Sequence, residues 1–222
     1  IPFHCDGAAV VGRLPADMVE LGVDAYSFPA QSVYGPKGAG ALFLKRGTRI
    51  QPLVEGGFQE KNRRAGTENV AAIAGFDKAA EVTLARLPDW TKNLVRLGRR
   101  IIAELPPKLD NVVFTGCLTH RLPGHVSMCV EFVEGESMLL FLDDEGISTA
   151  SGSSCTARTL KASHVLLAMG FPHALAQTSL VLTMGKGNTD ADVDHFLEKL
   201  PPIVQRLRQM SPLYAKFQKG ED

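Results

Sequence analysis

At Thr67 the hydrophobic period of the chain changes, and that switch limits the folds open to it. Before it, apolar residues gather in short runs: Pro2–Cys5, ending in Asp6, then Asp24–Phe28 and Gly40–Leu44. These have the length of strands. Asp17–Leu21 reads as a short helix, and Tyr34-Gly35-Pro36-Lys37-Gly38 as a turn. After the switch, Val70, Ile73, Phe76, Ala80, Leu84 and Leu87 recur three or four apart, as on one face of a helix. Thr67 is the expected N-cap, and Leu87-Pro88 should end or sharply bend this helix. A second, basic helix should reach about Leu105, where Pro106-Pro107 closes it.

The second half alternates again. Strands are expected over Val112–Phe114, Val126–Phe132, near Ile147–Ala150 and over Leu180–Met184, with helices near Glu136–Leu142 and over Ala162–Met169. A last helix starts at Thr189, with Asp192 three residues on as a capping partner. Its apolar face is Val193, Phe196, Leu197, Leu200, Ile203, Leu207 and Met210, and Pro201-Pro202 should kink it. The best single domain cut falls near residues 85–90.

Composition narrows the function classes. The 222 residues are 45% apolar and 22% charged, which rules out disorder, collagen and coiled coil. Lys+Arg and Asp+Glu both number 24, so no basic excess favours nucleic acid or a membrane surface. No apolar run approaches the ~18–20 residues of a bilayer span. Ile1-Pro2-Phe3-His4 lacks the features of a signal peptide, and the chain reads as the middle of something longer. Four cysteines, at 5, 117, 129 and 155, show neither CxxC spacing nor disulfide-scaffold density. Reduced thiols and a cytoplasmic setting are expected.

Cys155 lies among small polar residues, in Ala150-Ser151-Gly152-Ser153-Ser154-Cys155-Thr156. A thiol there suits a nucleophile or sulfur carrier, or is a surface cysteine without a role. Cys5, Cys117 and Cys129 lie in or beside strand-like runs and read as buried, inert thiols. Asp6 either anchors a ligand or caps a turn. Asn62-Arg63-Arg64-Ala65-Gly66-Thr67-Glu68-Asn69 offers backbone N–H groups, a hydroxyl and two guanidiniums before a helix: a phosphate site, or a capped helix with solvated arginines. The six histidines form no metal-ligand pattern, so no metal is expected, and no GxGxxG or GxxxxGK[ST] occurs.

Taken in order, His4-Cys5-Asp6, Tyr34-Gly35-Pro36-Lys37-Gly38-Ala39-Gly40, Arg63 to Asn69, Ser151 to Cys155, and Arg206-Leu207-Arg208 through Ser211-Pro212-Leu213 resemble the cysteine desulfurases of the NifS/IscS type. These belong to the class V aminotransferase group of pyridoxal-phosphate enzymes. The resemblance implies the C-terminal part of an α/β, fold-type I transferase. Residues 1–86 would be the end of the large, mostly parallel-sheet cofactor domain. Residues 87–222 would be the small α+β domain carrying the Cys155 loop. It implies that Asp6 meets the cofactor's pyridine nitrogen, and that Thr67 meets the phosphate in the other subunit of a homodimer. Cys155 would be the nucleophile that takes sulfur from L-cysteine, releases alanine and hands a persulfide to an iron–sulfur scaffold or sulfur carrier. Alternatively the chain pairs with a separate N-terminal half.

Several positions depart from the family pattern. The Schiff-base lysine falls on Ser32, and a hydroxyl forms no imine with an aldehyde. The neighbouring histidine is Gln31, the phosphate-binding serine is Pro29, and the glutamine facing the phenolic oxygen is Ala9. The arginine that clamps the substrate carboxylate is Val181. Lys37 and Lys186 match lysine or arginine positions the family already carries, so neither replaces what is lost. Two readings follow: a desulfurase acting through Cys155, or a catalytically degenerate subunit that keeps the fold, the dimer surface and the thiol.

Overall fold

The computed structural model describes residues 1–152 and 162–220, so the sequence around Cys155 lies outside the described residues. The chain divides into two compact units, Ile1–Thr91 and Lys92–Asp222.

In the first unit, β1 (His4–Asp6) pairs in parallel with β2 (Ala25–Pro29), placing Asp6 opposite Ser27. A 3-10 turn, η1 (Ala30–Val33), ends at Tyr34, which takes a left-handed φ of 64°. The chain then returns as β3 (Gly40–Leu44), antiparallel to β2. One pairing is therefore parallel and one antiparallel. Tyr26 and Phe28, two apart on β2, share a face. Their rings meet edge to face, and Phe28 meets Phe76 in the same way. The segment α1 (Gln59–Asn62) is one turn, wound left-handed at Glu60 and Lys61.

Asp17–Leu21 is a turn, not a helix: Asp17 Oδ1 accepts from the N–H groups of Val19 (2.7 Å) and Glu20 (3.2 Å). One helical turn with Val19 exposed has no packing to offset its nucleation. The long helix α2 (Val70–Glu104) runs through Pro88 as one element, where two helices were expected. Pro88 leaves the Leu84 carbonyl without its helical donor. Leu84 is 75% exposed, so water can supply the missing bond. The cap of α2 is Asn69 and not Thr67: Asn69 Oδ1 accepts from Ala72 N–H at 3.2 Å, and its carbonyl takes the Ile73 N–H.

The second unit is an antiparallel sheet of β4 (Val112–Phe114), β5 (His125–Val130) and β6 (Ser179–Thr183), in that order. The stretch near Ile147–Ala150 forms only a bridge, Ala150 to Val181, and no strand. Val126, Met128 and Val130 alternate onto the buried face of β5. They pack with Leu94, Leu97, Ile101 and Leu105, which recur at helical spacing in α2. Helix α3 (Gly135–Asp144) adds Met138 and Leu142, and α6 (Asp190–Gln209) adds Val193, Leu197, Leu200 and Val204. Two short helices, α4 (His164–Ala168) and α5 (His173–Ala176), precede β6.

Helix α6 opens with the expected capping box, Thr189 N–H donating to Asp192 Oδ2 at 2.7 Å. It continues through Pro201 and Pro202 as one helix. Met210, assigned above to the apolar face, is 71% exposed, and Val204 holds the core position instead. A further helix, α7 (Pro212–Lys219), is capped by Ser211 Oγ and ended by Gly220 at φ 68°. Arg208 is 4% exposed and donates to the Asp110 carboxylate, to Asp110 O (2.9 Å) and to Glu131 O (3.2 Å). It thereby ties α6 to the segments before β4 and after β5, which meet at one end of the sheet.

Candidate functional site

The first candidate residue, Asp6, ends β1. Its Oδ1 accepts from Ala8 N–H at 2.9 Å, the Asx-turn geometry that short acidic side chains favour where a strand stops. His4, Asp6 and Ser27 share one face of the sheet, and His4 Nε2 lies 2.9 Å from Ser27 Oγ. Gly7 N–H donates to Ser27 O at 2.8 Å, which carries the β1–β2 pairing one step past the strand.

Ser32, in η1, is half-buried, and its hydroxyl donates to Ala8 O at 2.7 Å. Asp6 and Ser32 thus meet through Ala8, although 24 residues separate Ala8 from Ser32. Pro29 ends β2, Gln31 is exposed beside Ser32, and Ala9 is exposed just beyond the Asx turn. Thr67 is exposed two residues before its neighbour Asn69 caps α2. Arg64 does not point a free guanidinium at a ligand; its Nη1 donates to Ala65 O at 2.6 Å. Val181 belongs to the second unit, on β6, opposite Ser127. Cys155 lies outside the described residues.

The thiols are not alike. Cys129 is buried in the second unit, and burial pushes its pKa up to about 11. Cys5 is half-buried on β1. Cys117, expected to be buried and inert, is exposed. Its Sγ lies 3.3 Å from Thr119 Oγ1, accepts from His120 N–H at 3.3 Å and lies 3.7 Å from His120 Nδ1. Those contacts, the Thr119 hydroxyl first, hold its pKa down to about 6. Arg121 builds the loop by donating to the carbonyls of Cys117 (2.9 Å), Thr115 (2.8 Å) and His125 (3.3 Å). The only sequence signal for this was the spacing Cys117-Leu118-Thr119-His120, which places a hydroxyl and an imidazole within one turn of the thiol. Among the described residues no group of His, Cys, Asp and Glu is arranged to hold a metal, and no helix is long and apolar enough to cross a membrane.

The chain belongs to the class-V aminotransferase family, whose model matches residues 1–196. Within that family it is similar to the cysteine desulfurases. It is 44% identical over 214 residues to cysteine desulfurase IscS 1 of Archaeoglobus fulgidus, covering 96% of this chain and 56% of that protein. It is also 44% identical to cysteine desulfurase IscS of Methanosarcina thermophila, covering 97% of this chain and 53% of that one. Its structure matches a NifS-like protein from Rickettsia africae with a TM-score of 0.83 at 29% identity, covering 92% of this chain and 54% of the other. The chain spans about half the length of these relatives.

The family implies pyridoxal phosphate, and the residues present do not fit a lysine-linked one. An aldehyde needs an amine to form an imine, and position 32 offers a hydroxyl already committed to the Ala8 carbonyl. Pro29 supplies neither an N–H nor a hydroxyl for a phosphate, and Ala9 supplies no amide.

Proposed function

We propose that the chain is the C-terminal part of a cysteine desulfurase-like protein that carries sulfur as a persulfide on Cys155 and passes it to an iron–sulfur scaffold or another sulfur carrier. The observation that carries this reading is the identity of 44% to a cysteine desulfurase over 96% of the chain. The family reaction takes sulfur from L-cysteine and releases alanine, and it belongs to the proposal because the chain spans only half of its relatives. In that reaction Asp6 is assigned to the cofactor's ring nitrogen. Thr67 is assigned to the phosphate in the other subunit of a homodimer, in a cytoplasmic setting.

The Ser32 hydroxyl on Ala8 O favours a more specific version, a catalytically degenerate subunit. Sulfur then reaches Cys155 from a persulfide donor and not from cysteine processed on this chain. The Cys155 thiolate attacks the outer sulfur of the donor's persulfide. The donor's S–S bond breaks, the donor leaves as a thiolate, and Cys155 keeps the transferred sulfur with no net oxidation.

The test mixes the protein with an active cysteine desulfurase and L-cysteine and maps added sulfur by peptide mass. Sulfur is expected on the Cys155 peptide and should vanish in Cys155→Ala. Sulfur that settles on Cys117 instead would sink the assignment. Sulfide released from L-cysteine by this chain alone would overturn the degenerate version.

A further inference from the structure

We infer that the position from which this family tethers its cofactor has become a structural joint, which fixes the turn Asp6–Ala8 and leaves the chain unable to take up a pyridoxal-type aldehyde phosphate, covalently or otherwise. The inference rests on the family reading but not on sulfur transfer through Cys155.

The joint is closed from several directions. From the side, Ser32 Oγ donates to Ala8 O at 2.7 Å and so joins η1 to the loop after β1. Further along that loop, Gly12 lies against the Ser32 backbone. A Cβ on Gly12 would sit 2.8 Å from Ser32 O, and its φ of 82° also favours glycine. On another side, the Tyr26 ring occupies the space beside Gly7. A Cβ on Gly7 would fall 2.0 Å from the ring carbon Cζ and 2.1 Å from the hydroxyl oxygen. Within the turn, Asp6 Oδ1 is taken by Ala8 N–H.

Tyr26 closes the turn from inside the unit. It is 1% exposed, and its hydroxyl has no hydrogen-bond partner. An unpartnered buried hydroxyl is costly. It is tolerated here because the ring fills the space beside Gly7 and stacks edge-on against Phe28. Gly7 and Tyr26 are therefore a matched pair, and any side chain at position 7 expels the ring.

The chemistry of binding fails at the same place. A phosphate needs convergent N–H, hydroxyl or cationic donors. At the joint Pro29 has no N–H and Ser32 spends its one proton on Ala8 O. Ser32 is thus a positioning residue: it acts on Asp6 through Ala8 and touches no substrate. Restoring lysine at 32 alone puts a long cationic stem where the joint needs a short hydroxyl, and it breaks the joint without rebuilding the phosphate contacts.

Two measurements on the full chain test this. In the first, pyridoxal phosphate is titrated into the parent and into Ser32→Lys, and borohydride is added at equimolar cofactor. Neither protein is expected to show a saturable rise in melting temperature or a pyridoxyl group fixed on one lysine. Either signal in the parent overturns the inference. A stoichiometric pyridoxyl at position 32 of the variant, with unchanged stability, overturns it too. The second follows thermal unfolding by Trp90, the single tryptophan, whose ring lies 5.6 Å from that of Tyr34 at the end of η1. Ser32→Ala should lower the midpoint by about 4–8 °C, the shift for one lost hydrogen bond in a unit of this size, and Ser32→Thr should restore most of it. A Ser32→Ala midpoint equal to the parent's removes the joint. Sulfur loading of Cys155 on the same preparations is read separately, so its failure counts against the proposed function and leaves the joint standing.

Discussion

The two units solve the problem of burial differently. In Lys92–Asp222, helix faces from α2, α3 and α6 close over one side of an antiparallel sheet, and Leu97, Leu105, Met128, Met138, Leu142 and Leu200 are fully buried. In Ile1–Thr91 the buried apolar set is short and mostly small: Val23, Ala25, Tyr26, Ala30, Val33, Ala65 and Ala72. Many large apolar side chains there stay in solvent, among them Leu53 at 98% exposure, Phe58 at 85% and Leu84 at 75%. The second unit therefore buries the larger apolar core, while the first leaves more of its large apolar side chains in solvent. Stability should accordingly be distributed unevenly along the chain.

The largest effect that would break this comparison lies at Leu97. The residue is fully buried in the core of the second unit, so Leu97→Ala should cost about 2–5 kcal/mol in transfer and cavity energy. The same truncation at Leu53 should change stability by about 0.5 kcal/mol or less, because that side chain is already hydrated. Urea unfolding followed by circular dichroism measures both. Comparable losses at the two positions would show that Leu53 is covered in solution, and the contrast drawn above would fall.

The cysteines sharpen the contrast in rate. Cys117 is exposed, with a pKa held at about 6 by the Thr119 hydroxyl and the His120 N–H, so its alkylation should be half-maximal near that pH. An ordinary thiol reaches that point above pH 8. Cys129 sits in the tight unit with its pKa raised to about 11 by burial, and it should react only when that unit opens globally. Cys5, half-buried on β1 of the first unit, should label through local opening, between these limits. Mass spectrometry of a timed alkylation gives the order Cys117, Cys5, Cys129. If Cys5 labels as slowly as Cys129, the first unit is as closed as the second. Thr119→Val should move the Cys117 profile toward the ordinary thiol pKa without changing the other two.

Much of the fold was legible because local signals agree with it. Gly40–Leu44 and Val112–Phe114 are strands at the bounds their apolar runs suggest, and Thr189 with Asp192 marks the start of α6. The misreadings share a cause, the weighing of a local rule without its surroundings. Pro88 breaks a helix only where the freed carbonyl finds no other donor, and Leu84 faces water. Thr67 is a good capping residue, but Asn69 is as good and lies at the register that the helix adopts.

For the candidate site the limit was different. The resemblance marks Ser32, Pro29, Ala9 and Val181 as the expected departures from the family pattern, and those could be read from the sequence. The contacts those positions make could not be read, because the Ser32–Ala8 bond and the Gly7–Tyr26 pair join positions about twenty residues apart. Cys117 shows the same limit, since its environment exists only once Arg121 has closed the loop onto three carbonyls.

The smallest expected effect concerns charge, and it again separates the units. In the second, Asp190 at the start of α6 accepts from Arg96 (2.8 Å to Oδ2) and Arg100 (2.7 Å to Oδ1), and Arg100 also reaches Asp194 and Glu104. The guanidinium of Arg96 first, then that of Arg100, holds the Asp190 carboxyl down to about 2. Because the folded value lies below the unfolded one of about 3.9, the stabilisation is complete above pH ~4 and disappears as pH falls toward 2. In the first unit, Lys45–Asp24 and Lys78–Glu81 are each a pair of one cation and one carboxylate. Acid unfolding of the second unit should therefore be steeper at low salt in the parent than in Asp190→Asn, and the difference should be confined to that pH window. The pair is half-exposed, with Arg96 at 48% and Asp190 at 52%, so added salt should screen most of it. A difference that persists in molar salt would mean that Asp190 acts through its position at the helix N-terminus and its hydrogen bonds, with little from long-range charge. Identical acid profiles at low salt would show that the two arginines gain nothing measurable from Asp190, leaving the Arg100–Asp194 pair as the ion pair between α2 and α6.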